Sequence, residues 1–90
     1  MRISEPPTRD CPLADLATGV VARVVAIDRA SASQLAAHGV HLGTLVSVEN
    51  DAPFGGPRIV RLGGARLALA RRIARTIQVR IETDEDGARR

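Results

Sequence analysis

Pro57-Arg58-Ile59-Val60-Arg61-Leu62-Gly63-Gly64-Ala65-Arg66-Leu67-Ala68-Leu69 reads as a β-hairpin. Val60 and Leu62 share one parity, and Leu67 and Leu69 resume the alternation beyond the glycines, the period of a strand with one buried face. Gly63-Gly64 suits a two-residue connection that needs positive φ. Upstream, Val46 and Val48 alternate within Thr44–Glu49, and Ala52-Pro53-Phe54-Gly55-Gly56 is a turn-rich loop before the hairpin. Downstream, Ile77, Val79 and Ile81 alternate as a closing strand, after a single amphipathic turn over Ala70–Arg75 that presents Ile73 and Ala74.

Val20–Ile27 is rich in β-branched residues and reads as the first strand. Val24 and Ile27 fall on opposite parity, so burying both predicts a β-bulge near Val25 and Ala26. Pro12, Leu13 and Leu16 predict one helical turn or tight bend that plugs the core. Ser31 and Ser33 are possible N-caps of a short helix through Ala37, which Gly39 would stop in a left-handed conformation. Five short strands, tight turns and one small helix predict a mainly β fold, a small barrel or sandwich. The predicted core is Val24, Ile27, Leu35, Val46, Val48, Val60, Leu62, Leu67, Leu69, Ile77 and Val79. Residues 1–11 are expected to form a flexible N-terminal arm, residues 12–81 the domain, and residues 82–90 a frayed C-terminal tail.

Ninety residues with 44% hydrophobic content support one modest core, and Phe54 is the only aromatic residue. A single cysteine and an N-terminus without an apolar run predict a cytoplasmic location, and no stretch has the length of apolar sequence that a spanning helix needs. The net charge of +3 hides an asymmetry, because Ala52–Ile81 contains seven arginines and no acid. Such a segment could be a solvated face, or could meet an acidic protein or a polyphosphate backbone.

No nucleophile with a base, carboxylate pair or open metal site assembles, so no catalytic residue and no cofactor is expected. His38 and His41 are three apart, but Gly39 breaks the helix between them, and no metal site is expected from the pair. Cys11 sits in an acidic stretch and reads as an inert thiol. The paired glycines lie outside any strand-to-helix turn and are hairpin glycines, not a phosphate loop. Arg66, Arg71, Arg72 and Arg75 cluster in sequence, yet single-strand nucleic-acid binding usually adds stacking aromatics, which this chain lacks, so no nucleic acid is expected as a partner.

Five pieces taken in order resemble the FeoA domain. They are Pro12-Leu13-Ala14-Asp15-Leu16-Ala17-Thr18-Gly19, the helix and turn from Leu35 to Val48 around Leu42-Gly43, the loop Ala52–Pro57, the Gly64-Ala65-Arg66-Leu67-Ala68-Leu69 segment, and Ala74 with Ile77 and Val79. The resemblance implies a five-stranded, partly open SH3-like barrel. It also implies a non-enzymatic accessory protein of bacterial ferrous iron uptake, docking on the cytosolic, G-domain-bearing part of the iron permease, with a monomer favoured. Rival readings are a stand-alone regulatory module related to the C-terminal domain of iron-dependent repressors, a weak nucleic-acid-binding barrel, and a metal carrier using the histidines. The family usually has proline where Leu42 stands, a charged residue at Leu45, arginine at Ala70, glutamate at Ile73 and an aliphatic residue at His38. These departures make Leu42 and Leu45, with Arg71 and Arg72, the expected partner-binding surface.

Overall fold

The computed structural model describes residues 10–82. Six antiparallel strands are found among them: β1 (Asp10–Pro12), β2 (Val21–Ile27), β3 (Leu45–Asp51), β4 (Arg58–Leu62), β5 (Ala65–Leu69) and β6 (Ile77–Ile81). They form one sheet in the order β1-β6-β2-β3-β4-β5, which curls without closing. A 3₁₀ turn, Leu13–Asp15, follows β1, while helix α1 (Arg29–Ala36) links β2 to β3 and the short helix α2 (Arg71–Ala74) links β5 to β6. No helix among the described residues is long and apolar enough to cross a membrane.

The hairpin forms where the alternation places it, with Leu62 opposite Ala65 and Val60 opposite Leu67. Gly63 has φ +61° and Gly64 lies outside the left-handed region, the pattern of a type II′ connection with glycine first. In β2 the register shifts between Val24 and Ala26, where the opposed parity of Val24 and Ile27 requires an extra residue. A second shift, between Val48 and Asn50 in β3, has no such parity signal.

The strand count is six where the sequence predicts five. A three-residue segment ending in proline has no readable period, and β1 exists because β6 offers it a ladder, with Cys11 opposite Val79. The expected arm therefore loses Asp10 and Cys11 to the sheet, and Arg80 Nε donates to Asp10 Oδ1 at 2.7 Å across the pair. The rest of that arm, and of the expected tail beyond Glu82, lies outside the described residues.

Leu13, Leu16, Val24, Leu35, Val40, Val46, Val48, Val60, Ile77 and Val79 are fully buried, together with Ala22 and Ala74. The 3₁₀ turn thus plugs the core with Leu13 and Leu16. Ile27, Leu62 and Leu67 pack on the core edge and are only partly buried, because Ile27 and Leu62 end their strands and Leu67 stands on the edge strand β5. Helix α1 begins one turn earlier than the serines suggest, with Asp28 at its N-cap position. Ser31 lies inside it, buried, where its hydroxyl meets the Thr76 hydroxyl at 3.3 Å.

Candidate functional site

Helix α1 ends in a Schellman arrangement. Val40 N–H donates to Leu35 C=O at 2.9 Å, Gly39 N–H donates to Ala36 C=O at 3.0 Å, and Gly39 takes φ +89°. Leu35 and Val40 are both buried, which supplies the apolar contact that accompanies this motif. The reversal separates the two histidines. His38 borders a cleft between α1 and β5, while His41 borders another between α1 and the end of β2. Among the described residues no three His, Cys, Asp or Glu side chains come together as a metal-holding group. Cys11 is half-buried, and burial, followed by the nearby Asp15 and Asp10 carboxylates, pushes its thiol pKa up, which favours the protonated, unreactive form.

Beyond the helix, Thr44 N–H donates to His41 C=O at 3.0 Å and the His41 N–H donates to Thr44 Oγ1 at 3.0 Å. Gly43, at φ +91°, occupies the third position of this type II turn, which leaves Leu42 at the second, the place that proline favours. Leu42 consequently stands at the corner, 65% exposed. Leu45 opens β3 and pairs with Arg23 of β2, while Val21 pairs with Ser47 one step diagonally away. Val21 and Leu45 are each 45% exposed, so three of the four exposed large hydrophobics among the described residues lie around one corner of the sheet. Arg23 belongs to the same corner: it donates to Gly43 C=O at 3.2 Å and to Glu82 at 3.1 Å.

The expected surface of Leu42, Leu45, Arg71 and Arg72 does not assemble as one patch. Arg71 donates to Gly56 C=O at 3.2 Å and pairs with Asp51 at 3.4 Å. Asp51 is at the other end of β3 from Leu45, six residues or roughly 20 Å along the strand. Arg72 lines the α1–β5 cleft, on the opposite flank of α1 from the cleft that Leu42 lines. The cation beside the two leucines is Arg23, which carries no local sequence signal because only the β2–β3 register brings it there.

Five of the seven arginines in the run are ion-paired in the fold, sharing three carboxylates. Arg61 and Arg66 both bind Glu49, each at 2.7 Å, Arg58 and Arg71 bind Asp51, and Arg80 binds Asp10. Among the described residues, Arg72 and Arg75 are the members of that run without an ion pair. Arg58 is itself buried, 5% exposed, and also donates to the carbonyls of Leu13, Ala14 and Leu16 at 2.8–2.9 Å. It fastens the 3₁₀ turn to the sheet and is unavailable to a partner.

The hydrogen bond from Arg58 holds the Asp51 carboxyl below the usual carboxylate range, and the bond from Arg61, followed by that from Arg66, does the same for Glu49. A carboxyl whose folded-state pKa is depressed stabilises the fold above its unfolded pKa, near pH ~4, and loses that contribution as pH falls through the folded value. Stability should therefore decline on acidification below about pH 4. Asp51→Asn should be less stable at neutral pH and show a shallower acid decline. Denaturant titrations across this window check the sign, and an unchanged pH slope in Asp51→Asn would contradict it.

Comparison with solved structures finds the same architecture in a FeoA protein from Chlorobium tepidum, at 32% identity and TM-score 0.71 over 80% of this chain and 70% of that one. A FeoA from Stenotrophomonas maltophilia, solved with zinc and described as a procaryotic SH3 domain protein, matches at 29% identity and TM-score 0.63 over 74% of this chain and 86% of that one. A manganese-dependent transcriptional repressor matches at 22% identity and TM-score 0.74 over 86% of this chain and 44% of that one, a likeness of fold alone. Comparison with curated proteins finds no match. The fold is SH3-like and mainly β, as the resemblance implies. With the FeoA domain model matching residues 11–81, a span that takes in the 3₁₀ plug, the Leu42 turn and the closing strand, the chain belongs to the FeoA domain family.

Proposed function

We propose that this protein is a cytoplasmic, non-enzymatic accessory factor of bacterial ferrous iron uptake, acting by docking on the cytosolic, G-domain-bearing part of the iron permease. Family membership supports the iron-uptake context, and for the Stenotrophomonas relative a role as a ferrous iron transport activating factor has been suggested. The observation that carries the docking reading is the corner formed by Leu42, Leu45, Val21 and Arg23. Exposed aliphatics beside an arginine, on a rigid strand pair and a tight turn, have the composition of an interface core with its polar rim. The surface is held by the sheet, so little ordering entropy is lost when it is covered.

Leu42→Asp combined with Leu45→Glu should weaken binding to the permease's cytosolic domain by about tenfold or more, the loss of one good anchor. Both side chains are exposed, so the melting temperature should stay near the parent's. Calorimetry at two salt concentrations tests this and reports the share carried by Arg23. Undiminished affinity in the folded variant rejects this corner. Absence of binding by both proteins favours the regulatory-module reading.

A further inference from the structure

Among the described residues the sheet has an open edge at β5, which pairs with β4 on one side only. In a two-residue hairpin the pair flanking the turn is hydrogen-bonded, and hydrogen-bonded pairs then alternate along the ladder. With Leu62 opposite Ala65, Val60 opposite Leu67 and Arg58 opposite Leu69, the backbone groups of Ala65, Leu67 and Leu69 are turned to β4. Those of Arg66 and Ala68 point away from the sheet, and no backbone group meets them among the described residues.

Beside this edge lies a cleft of about 270 Å³, walled by Leu35 and His38 of α1 and by Arg72 and Ile73 with α2. Its lining contains a guanidinium and no carboxylate, and Arg72 has no ion-pair partner among the described residues. An unpaired strand edge next to a mixed cleft has the geometry that accepts an extended segment as an added strand.

We propose that β5 takes an acidic, extended peptide segment of a partner protein by strand addition. The Arg66 and Ala68 backbone groups supply the ladder, alternate apolar side chains enter the cleft beside Ile73, and an acidic residue meets Arg72 at its rim. A second copy is a poor occupant, because β5 against β5 brings two Arg72 side chains to one seam, each without an ion-pair partner among the described residues, while β5 itself carries no acid. Nucleic acid fits no better, since the cleft has no aromatic wall on which a base could stack. This edge is separate from the Leu42 and Leu45 corner, so the two sites succeed or fail independently.

The probe is a capped hexapeptide alternating glutamate and valine, titrated into the isotope-labelled protein, with a lysine and valine peptide as control. The acidic probe should shift the amide resonances of Arg66 and Ala68 and slow their hydrogen exchange. Ala68→Pro removes the outward N–H of an edge strand without touching the β4 ladder, and should weaken binding by about tenfold. Arg72→Glu, an exposed change, should do the same and keeps the test decisive if Ala68→Pro fails to fold. The proposal is overturned by no shift at millimolar probe, by shifts confined to the Leu42 corner, by equal binding of the lysine peptide, or by a dimer sealed through β5.

Discussion

Replacing Val60 with aspartate should unfold the domain. Val60 is fully buried in β4, opposite Val48 on one side and Leu67 on the other. The cation on that face, Arg58, is already committed to Asp51 and to three carbonyls, so a carboxylate at position 60 finds no free partner, and burying it costs several kcal/mol, comparable to the roughly 5–10 kcal/mol that holds a domain of this size together. Val60→Ala separates packing from charge and should cost about 2 kcal/mol through the cavity it leaves. Circular dichroism and thermal melting distinguish the two variants. A soluble Val60→Asp protein with the parent's melting temperature would contradict this assignment of the core.

Arg58→Met should be the most damaging change to an arginine. The methionine fills much of the same volume, but it leaves the carbonyls of Leu13, Ala14 and Leu16 without their shared donor and Asp51 without its closest partner. The Leu13 carbonyl keeps its bond from the Leu16 N–H, so the loss falls on the Ala14 and Leu16 carbonyls and on Asp51; at about 1 kcal/mol or more for each, a loss on the order of 3 kcal/mol is expected. For a domain of this size that lowers the melting temperature by roughly 12–24 °C. Arg58→Lys should rescue little, because one ammonium cannot reproduce a planar fork that serves three carbonyls and a carboxylate together. Parallel melts of Arg58→Met, Arg58→Lys and the exposed control Arg75→Met test the ranking. A loss no larger than the control's would show that the contacts of Arg58 are dispensable.

These variants also mark where local reading of the chain succeeds. Val60 is recognisable as core because alternation is a property of neighbouring residues, and the same holds for Val46 and Val48. The bulge in β2 is legible for a related reason: two apolar residues of opposite parity, Val24 and Ile27, cannot both face inward on a regular strand. Arg58 is misread for the converse reason. In a run of seven arginines it looks like one more solvated cation, and nothing adjacent to it announces the carbonyls that it meets 42 to 45 residues away. Ser31 likewise has the composition of a cap but the position of a buried helix residue, since Asp28 starts the helix first.

The candidate docking site divides along the same line. Leu42 and Leu45 stand out in the sequence as apolar residues where the family usually has proline or charge, and the turn and strand that expose them are local. Arg23 joins them only through the cross-strand register, while Arg71 is drawn off to Asp51. The sequence by itself determined the strands, the hairpin, most of the core and the family, because periodicity, turn chemistry and ordered motifs are all written in near neighbours. Tertiary structure alone decided the sixth strand, the burial of Arg58, the pairing of five arginines of the run and the edge position of β5. Each depends on which group arrives from elsewhere in the chain to satisfy a backbone or a charge, and pairing across separations from 7 to 70 residues leaves no period in the chain to read.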